Sequence, residues 1–231
     1  MILLDYNAIA IGNFVVQKVA VDENMIRHMI LNSIRMYRQK FSKEYGEMVI
    51  VADGMNNWRK DVFPNYKVKR KKNREESSID WTEAFRIIGM IRDEIRDNFP
   101  YKVVHQDGCE AVMIISADGD FKQLQVHKNI RQFSPMTKKF VVEKNPKLEL
   151  ANKILKGDSG DGVPNVMSDD NVFLESRRQR ILSAKKREAL LDDPRALGEE
   201  VYRNYLRNKK LIDLSETPAP VVNNIINIER M

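Results

Sequence analysis

One cysteine, Cys109, in a chain of 231 residues has no partner for an internal disulfide, and that scarcity fits a reducing compartment. No apolar run approaches the roughly 20 residues that span a bilayer. The first residues lack the basic, apolar, small-residue order of a secretory signal. A soluble intracellular protein is therefore expected. Histidine is scarce as well: His28, His105 and His127 are read as surface or core residues, which leaves no His or Cys set for zinc. Cys109 is read as a small buried hydrophobe rather than a nucleophile. Acid does not predominate either. Lys and Arg number 39 against 33 Asp and Glu, a net charge of +6, which favours a polyanionic partner without requiring one. With 42% hydrophobic and 31% charged residues the balance is that of a globular chain with a polar surface, long enough for one large domain or one and a half.

What is present centres on VMIISADGDFKQ, Val112 to Gln123. Val112 to Ser116 is a short apolar run with β-branched residues, the pattern of a strand buried on both faces of a parallel sheet. Asp118 and Asp120 follow at once. In open α/β sheets the loops after the carboxyl ends of strands line the functional crevice, so both carboxylates should face a ligand. The plain alternative is a turn at Gly119 that caps the next helix. Two more strands end the same way, Ile2 to Leu4 at Asp5 and Met48 to Ala52 at Asp53. Between them Val21 to Phe41 predicts a crossover helix, with Ile26, Met29, Ile30, Ser33, Ile34, Tyr37 and Phe41 at helical spacing.

From Trp58 the composition turns basic: WRKDVFPNYKVKRKKNREES. Lys67, Lys69, Arg70, Lys71, Lys72 and Arg74 form the densest positive run in the chain. Such a run is often only a solvated face. Lying between Asp-terminated strands, it is better read as a mobile segment that grips phosphate. Asp80 and Glu83 make a capping-box pattern for a helix whose buried face is Trp81, Ala84, Phe85, Ile88, Ile91 and Ile95, ending near Asn98.

Tyr101 to His105 reads as a strand, yet too few residues separate it from Val112 for a parallel crossover. Either the strands pair differently, or a helix has been deleted, or residues are missing between Ala111 and Val112. Beyond Asp120 a short helix reaches Leu124, strands at Ile130 to Phe133 and Phe140 to Val142 suggest a hairpin, and Leu148 to Lys156 is helical. Then comes GDSGDGVPNV, Gly157 to Val166, a Gly-containing turn between two helices whose backbone N–H groups could hold a phosphate. Gly160, Gly162 and Val163 are its candidate contacts. Arg177, Arg178, Arg180, Lys185 and Lys186 continue the basic theme, Pro194 begins a last long helix with Leu197, Val201 and Tyr205 on one face, and Val221 to Ile228 starts another.

Asp5, Asp53, Glu110, Asp118, Asp120, Asp158 and Asp161 fall mostly at strand ends or in loops that would meet at one sheet edge. Like charges so close repel unless a cation sits among them. Oxygen-only donors select Mg²⁺ or Mn²⁺. Two such ions about 4 Å apart can stabilise the attacking water and the leaving oxygen of phosphodiester hydrolysis.

The order LLD, D-x4-WRKDVFPNYKVKR, CEA, SADGDFKQL and KGDSGDGVPNV resembles the 5′ nuclease or flap endonuclease family, most closely its tailed-phage ribonuclease H type. The resemblance covers nearly the whole chain. It implies a PIN-like α/β fold, a mainly parallel sheet with helices on both faces, in a catalytic domain at 1–145. A basic helical arch at about 64–78 and a helix-hairpin-helix region in 146–231 would complete it. It implies Asp5, Asp53, Glu110 and Asp118 as ligands of one metal, and Asp120, Asp158 and Asp161 as those of a second, both Mg²⁺, with Mn²⁺ able to substitute. Tyr66, Lys67 and Arg70, with Arg59 just before them, would stack on and clamp the scissile phosphate.

The activity implied is a 5′ to 3′ exonuclease and flap endonuclease that removes RNA primers and flaps in lagging-strand replication. Its partners would be branched, flapped or nicked duplex DNA and RNA–DNA hybrids, and a clamp or single-strand-binding protein. A monomer, away from membranes, in the cytoplasm of an infected bacterium is expected. The rivals are a catalytically inactive binder of branched DNA and a PIN-type endoribonuclease. One departure stands out: the family follows Glu-Ala with two aspartates and a helix, where this chain has Val112. The family also runs on past residue 231.

Overall fold

The computed structural model describes residues 1–16, 22–53, 57–99 and 111–222. Among them five strands form one sheet in the order β2-β1-β3-β4-β5. They are β1 (Ile2–Asp5), β2 (Met48–Val51), β3 (Val112–Ile115), β4 (Ile130–Ser134) and β5 (Lys139–Val141). β1 pairs in parallel with β2 and β3, β3 pairs in parallel with β4, and only β5 runs antiparallel. All of β3 is buried, as its unbroken apolar run requires of a central strand.

Helix α1 (Tyr6–Val16) leaves β1 without a loop, and Asp5 caps it by accepting the Ala8 N–H at 3.0 Å. Helix α2 (Glu23–Tyr45) crosses back to β2. Asp22 caps it, and Ile26, Ile30, Ile34, Tyr37 and Phe41 descend its buried face one turn apart. Helix α5 (Trp81–Asn98) is capped by Asp80, as its pattern predicts. Its buried face includes Ile87, while Phe85 turns to solvent and packs on Trp81 with ring centroids 5.8 Å apart. The apolar stripe is centred one residue away from the expected line, because Ile87 continues the row through Ala84 and Ile91 and Phe85 does not.

The described residues fall into two compact units, one drawn from 1–54 and 79–144, the other from 55–78 and 145–231. The basic segment, helical through α3 (Arg59–Val62) and α4 (Val68–Glu75), therefore belongs to the same unit as the C-terminal half of the chain. Phe63 and Tyr66 are the reason: both are buried with Ile154, Val163, Leu211 and Ile212.

Helices α6 (Pro146–Lys156), α7 (Ala184–Asp192) and α8 (Glu199–Ile212) complete this unit. No α-helix directly follows the Gly157–Val166 turn; residues 167–183 run as turns and irregular chain, and α7 begins at Ala184. The last long helix starts at Glu199 rather than Pro194, because Gly198 at φ 96° interrupts the helical path. The expected strand at 101–105, Cys109 and almost all of the expected terminal helix lie outside the described residues.

Candidate active site

The parallel register sets the carboxyl ends of three strands side by side: Asp5 is paired with Val51, and Leu4 with Ile115. Asp5, Asp53 and Asp118 therefore leave the sheet at one edge. Ser116, which is wholly buried, joins two of them. Its hydroxyl donates to Asp5 Oδ2 at 2.7 Å and accepts the Asp118 N–H at 3.1 Å. Gln132, also buried, donates to the carbonyls of Ser116 and Asp118 at 3.0 and 2.7 Å. Asn7 donates to Asp53 Oδ2 at 3.0 Å. Asp118 in turn caps the 3-10 turn Gly119–Val126 through the Asp120 N–H at 2.9 Å, so the capping role and the acidic-edge role coexist in one residue.

Ser116, Gln132 and Asn7 escaped the sequence reading. A serine placed between a buried strand and an acid was the available signal for Ser116; Gln132 had none, since its partners come from the neighbouring strand. The donor set is all oxygen, which suits a hard divalent cation. Among the described residues no three acidic, His or Cys side chains already stand close enough to enclose an ion. Glu110 lies outside them.

Asp158 and Asp161 belong to the other unit, and both meet cations of the chain itself. Burial works to raise the Asp158 carboxyl, but the Lys153 ammonium at 3.1 Å and the N–H groups of Asp161 and Gly160 outweigh it and hold the pKa below the ordinary value. Asp161 accepts the Tyr66 hydroxyl at 2.5 Å and pairs with the Arg70 guanidinium. Its carbonyl accepts the Lys67 N–H at 2.5 Å.

The loop amides expected to hold a phosphate are thus directed inward. Gly162 donates to the Ser159 carbonyl at 3.4 Å, and Val163 to the Asp158 carbonyl at 2.8 Å in an antiparallel bridge; Gly162 and Val163 are both buried. Gly162 and Val163 do not present free N–H groups, and the Gly160 N–H serves Asp158. The loop is held from beneath by α8, where fully buried Asn208 donates to the carbonyls of Ile154 and Pro164, both at 2.8 Å, and Asn204 to that of Val166 at 3.0 Å. Two asparagines interrupting an apolar helix face were the readable sign of this clamp.

The basic residues divide by what they already touch. Arg59 donates to the Leu211 carbonyl at 2.8 Å and lies over Trp58. Lys72 donates to the Leu174 carbonyl at 2.8 Å, and Lys69 sits over the Phe173 ring. Burial, reinforced by neighbouring Arg70, lowers the Arg74 pKa. Arg177 is engaged by Glu175 and Asp169, and Arg180 by Asp169 and Glu200. Lys71, with a side chain 80% exposed, reaches Glu75 only at 4.0 Å. Arg178, Lys185 and Lys186 are exposed.

The chain thus combines a mainly parallel sheet whose strand ends carry acids with a helical unit bearing a basic segment. The phage T5 flap endonuclease, solved in a complex with DNA and metal ions, aligns over 100% of this chain and 99% of its own at a TM-score of 0.65 and 15% identity. The phage T5 5′-exonuclease with bound zinc aligns over 99% and 97% at 0.66 and 13%. Ribonuclease H of enterobacteria phage T4 is 34% identical across 97% of this chain and 84% of its own length. The chain belongs to the 5′ nuclease family, in its phage ribonuclease H branch. The alignment with the T4 protein extends over 257 positions against 231 residues here, so at least 26 of them have no counterpart in this chain. No family model matches the chain.

Proposed function

We propose that this protein is a divalent-metal-dependent 5′ nuclease that hydrolyses phosphodiesters of RNA primers and 5′ flaps on duplex DNA during lagging-strand replication in an infected bacterium. The observation that carries the reading is the edge of the sheet, where Asp5, Asp53 and Asp118 leave adjacent parallel strands and Ser116 ties two of them together. Asp5, Asp53, Asp118 and Asp120, with Glu110, are the residues that would hold Mg²⁺. Asp158 and Asp161 are the candidates for a second ion, and Mn²⁺ would substitute. When bound, such ions activate water and neutralise charge on the phosphate.

The chain's own groups do the rest. Ser116 and Gln132 fix the directions of Asp5 and Asp118. Lys67 and Arg70 present two cations to the scissile phosphate, and Tyr66, whose ring is buried with Phe63, Ile154 and Leu211, anchors the segment that carries them instead of stacking on the phosphate. Lys71, Arg178, Lys185 and Lys186 supply the sequence-independent grip on the duplex backbone. We place the shortfall against the phage T4 protein at Ala111, where the family pattern departs. Among the described residues no helix is long and apolar enough to cross a membrane. The test is a 5′-labelled flap duplex incubated with Mg²⁺, Mn²⁺ or EDTA: cleavage near the flap junction with either metal and none in EDTA is expected, and an intact flap under all three conditions refutes the reading.

A further inference from the structure

Helix α4, VKRKKNRE, buries none of its side chains, yet its cations are not equivalent. Lys69 and Lys72, three residues apart, share one face of the helix, and Arg70, Lys71 and Arg74 share the opposite one. Lys69 and Lys72 are half-buried, whereas Arg70 and Lys71 are exposed. The first pair is engaged by the chain itself. Lys72 Nζ donates to the Leu174 carbonyl at 2.8 Å and to the Ser176 hydroxyl at 3.1 Å, and the Lys69 ammonium lies 4.6 Å from the centroid of the Phe173 ring. Just before the helix, Asn65 donates to the Asp170 carbonyl at 3.0 Å. All these contacts meet one turn, residues 170–176.

That turn is fixed independently of α4. Val172 and Phe173 are buried, and the Arg177 N–H returns to the Val172 carbonyl at 2.8 Å. Asp169 holds Arg177 and Arg180, and Asp170 pairs with Arg207 of α8, whose side chain is 10% exposed. The partners it offers the two lysines are a carbonyl, a hydroxyl and a ring face, none of them an acid. Such partners leave each ammonium its charge while fixing the direction of its stem, which is what a helix without an apolar side needs in order to hold one orientation.

We propose that the 170–176 turn is a cradle for the basic helix, and that Lys69 and Lys72 are positioning residues seated in it instead of on nucleic-acid phosphate, so that the opposite face, with Arg70 and Lys71, is the one turned to substrate. The densest positive run of the sequence thus carries two kinds of cation. The assignment of a substrate face rests on the nuclease reading; the seating of the two lysines does not.

The test uses the full chain with Lys72→Met, which keeps the stem and removes the ammonium, with Phe173→Leu, which removes the ring and no charge, and with Lys71→Ala as reference. In EDTA, amide hydrogen exchange across Val68–Glu75 should accelerate about tenfold in Lys72→Met and about threefold in Phe173→Leu, with α8 at wild-type rates in both and α4 unchanged in Lys71→Ala. In the same buffer the salt slope of flap-duplex binding should fall by about one in Lys71→Ala and keep its wild-type value in the other two. With Mg²⁺, Lys72→Met and Phe173→Leu should both lower kcat for the flap about threefold while the Kd stays within about twofold. A buried ring touches no phosphate, so its loss acts only through the seat. A slope reduced by about one in Lys72→Met would make that lysine a phosphate contact and overturn the proposal. Wild-type exchange of α4 in Lys72→Met, exchange in Phe173→Leu that quickens equally in α8, or an unchanged kcat in both variants would overturn it too. Should the wild-type protein leave the flap uncut, the nuclease reading fails while hydrogen exchange still tests the seat.

Discussion

Ser116→Ala removes a single oxygen from the acidic edge, and its consequences can be worked from the geometry. The hydroxyl makes two bonds, to Asp5 Oδ2 at 2.7 Å and from the Asp118 N–H at 3.1 Å, inside a residue with no exposed surface. Water cannot replace it without a cavity larger than one oxygen atom. Leaving such a partner unsatisfied costs about 1–3 kcal/mol. For a chain of this size that is a fall in Tm of roughly 2–4 °C per kcal/mol.

The larger effect is functional. Groups that orient metal-ligating carboxylates change metal affinity or activity by about 10–100-fold when removed. The half-saturating Mg²⁺ concentration for flap cleavage should therefore rise about tenfold, and kcat at saturating Mg²⁺ should largely recover. Ser134→Ala is the control: this serine is also buried and stands at the same carboxyl edge of the sheet, in register with Ser116, but its hydroxyl accepts the Thr137 N–H at 3.3 Å and bonds to none of the acids. It should lower Tm and leave the Mg²⁺ titration unchanged. An unshifted titration in Ser116→Ala, or an equal shift in Ser134→Ala, would refute the assignment of Ser116 to the metal edge.

Asp118→Asn should abolish cleavage and leave affinity for a flap duplex within about twofold, since it removes a ligand and no phosphate contact; a gel shift beside the nuclease assay checks both. Lys71→Ala should weaken duplex binding for all sequences alike and reduce the salt slope by about one, whereas Arg177→Ala, whose guanidinium is already taken by Glu175 and Asp169, should change the slope little. Equal slopes for the two variants would remove that distinction. Gly157→Ala would set a Cβ 2.4 Å from the carbonyl oxygens of Pro164 and Val163 on a backbone at φ 69°, so a loss of about 3 kcal/mol or more in urea unfolding is expected. A stability within 1 kcal/mol of wild type would show that the loop can shift.

The strands, the crossover helices and the acids that end the strands were legible from residues 2–5, 48–53 and 112–120, because each depends on a local pattern. An apolar β-branched run makes a buried strand wherever it lies, and a capping aspartate marks the helix start within three residues. Asp80 caps its helix as read, and the parallel sheet follows from strands alternating with long helices. The order β2-β1-β3 and the register that aligns Asp5 with Val51 are matters of pairing between distant segments. So is the bond from Ser116 to Asp5, whose partners lie 111 residues apart in the chain.

The basic segment is the clearest case. Its composition reads as a solvated, mobile run, since charge patterning reports only on local preference. Only the tertiary structure buries Phe63 and Tyr66 against α6 and α8 and gives the Tyr66 hydroxyl a carboxylate at Asp161, 95 residues away. The same packing turned the loop amides of Gly162 and Val163 inward, because a backbone N–H bonds to whichever acceptor the fold brings within reach, and no feature of the glycine-rich stretch itself says which acceptor that is.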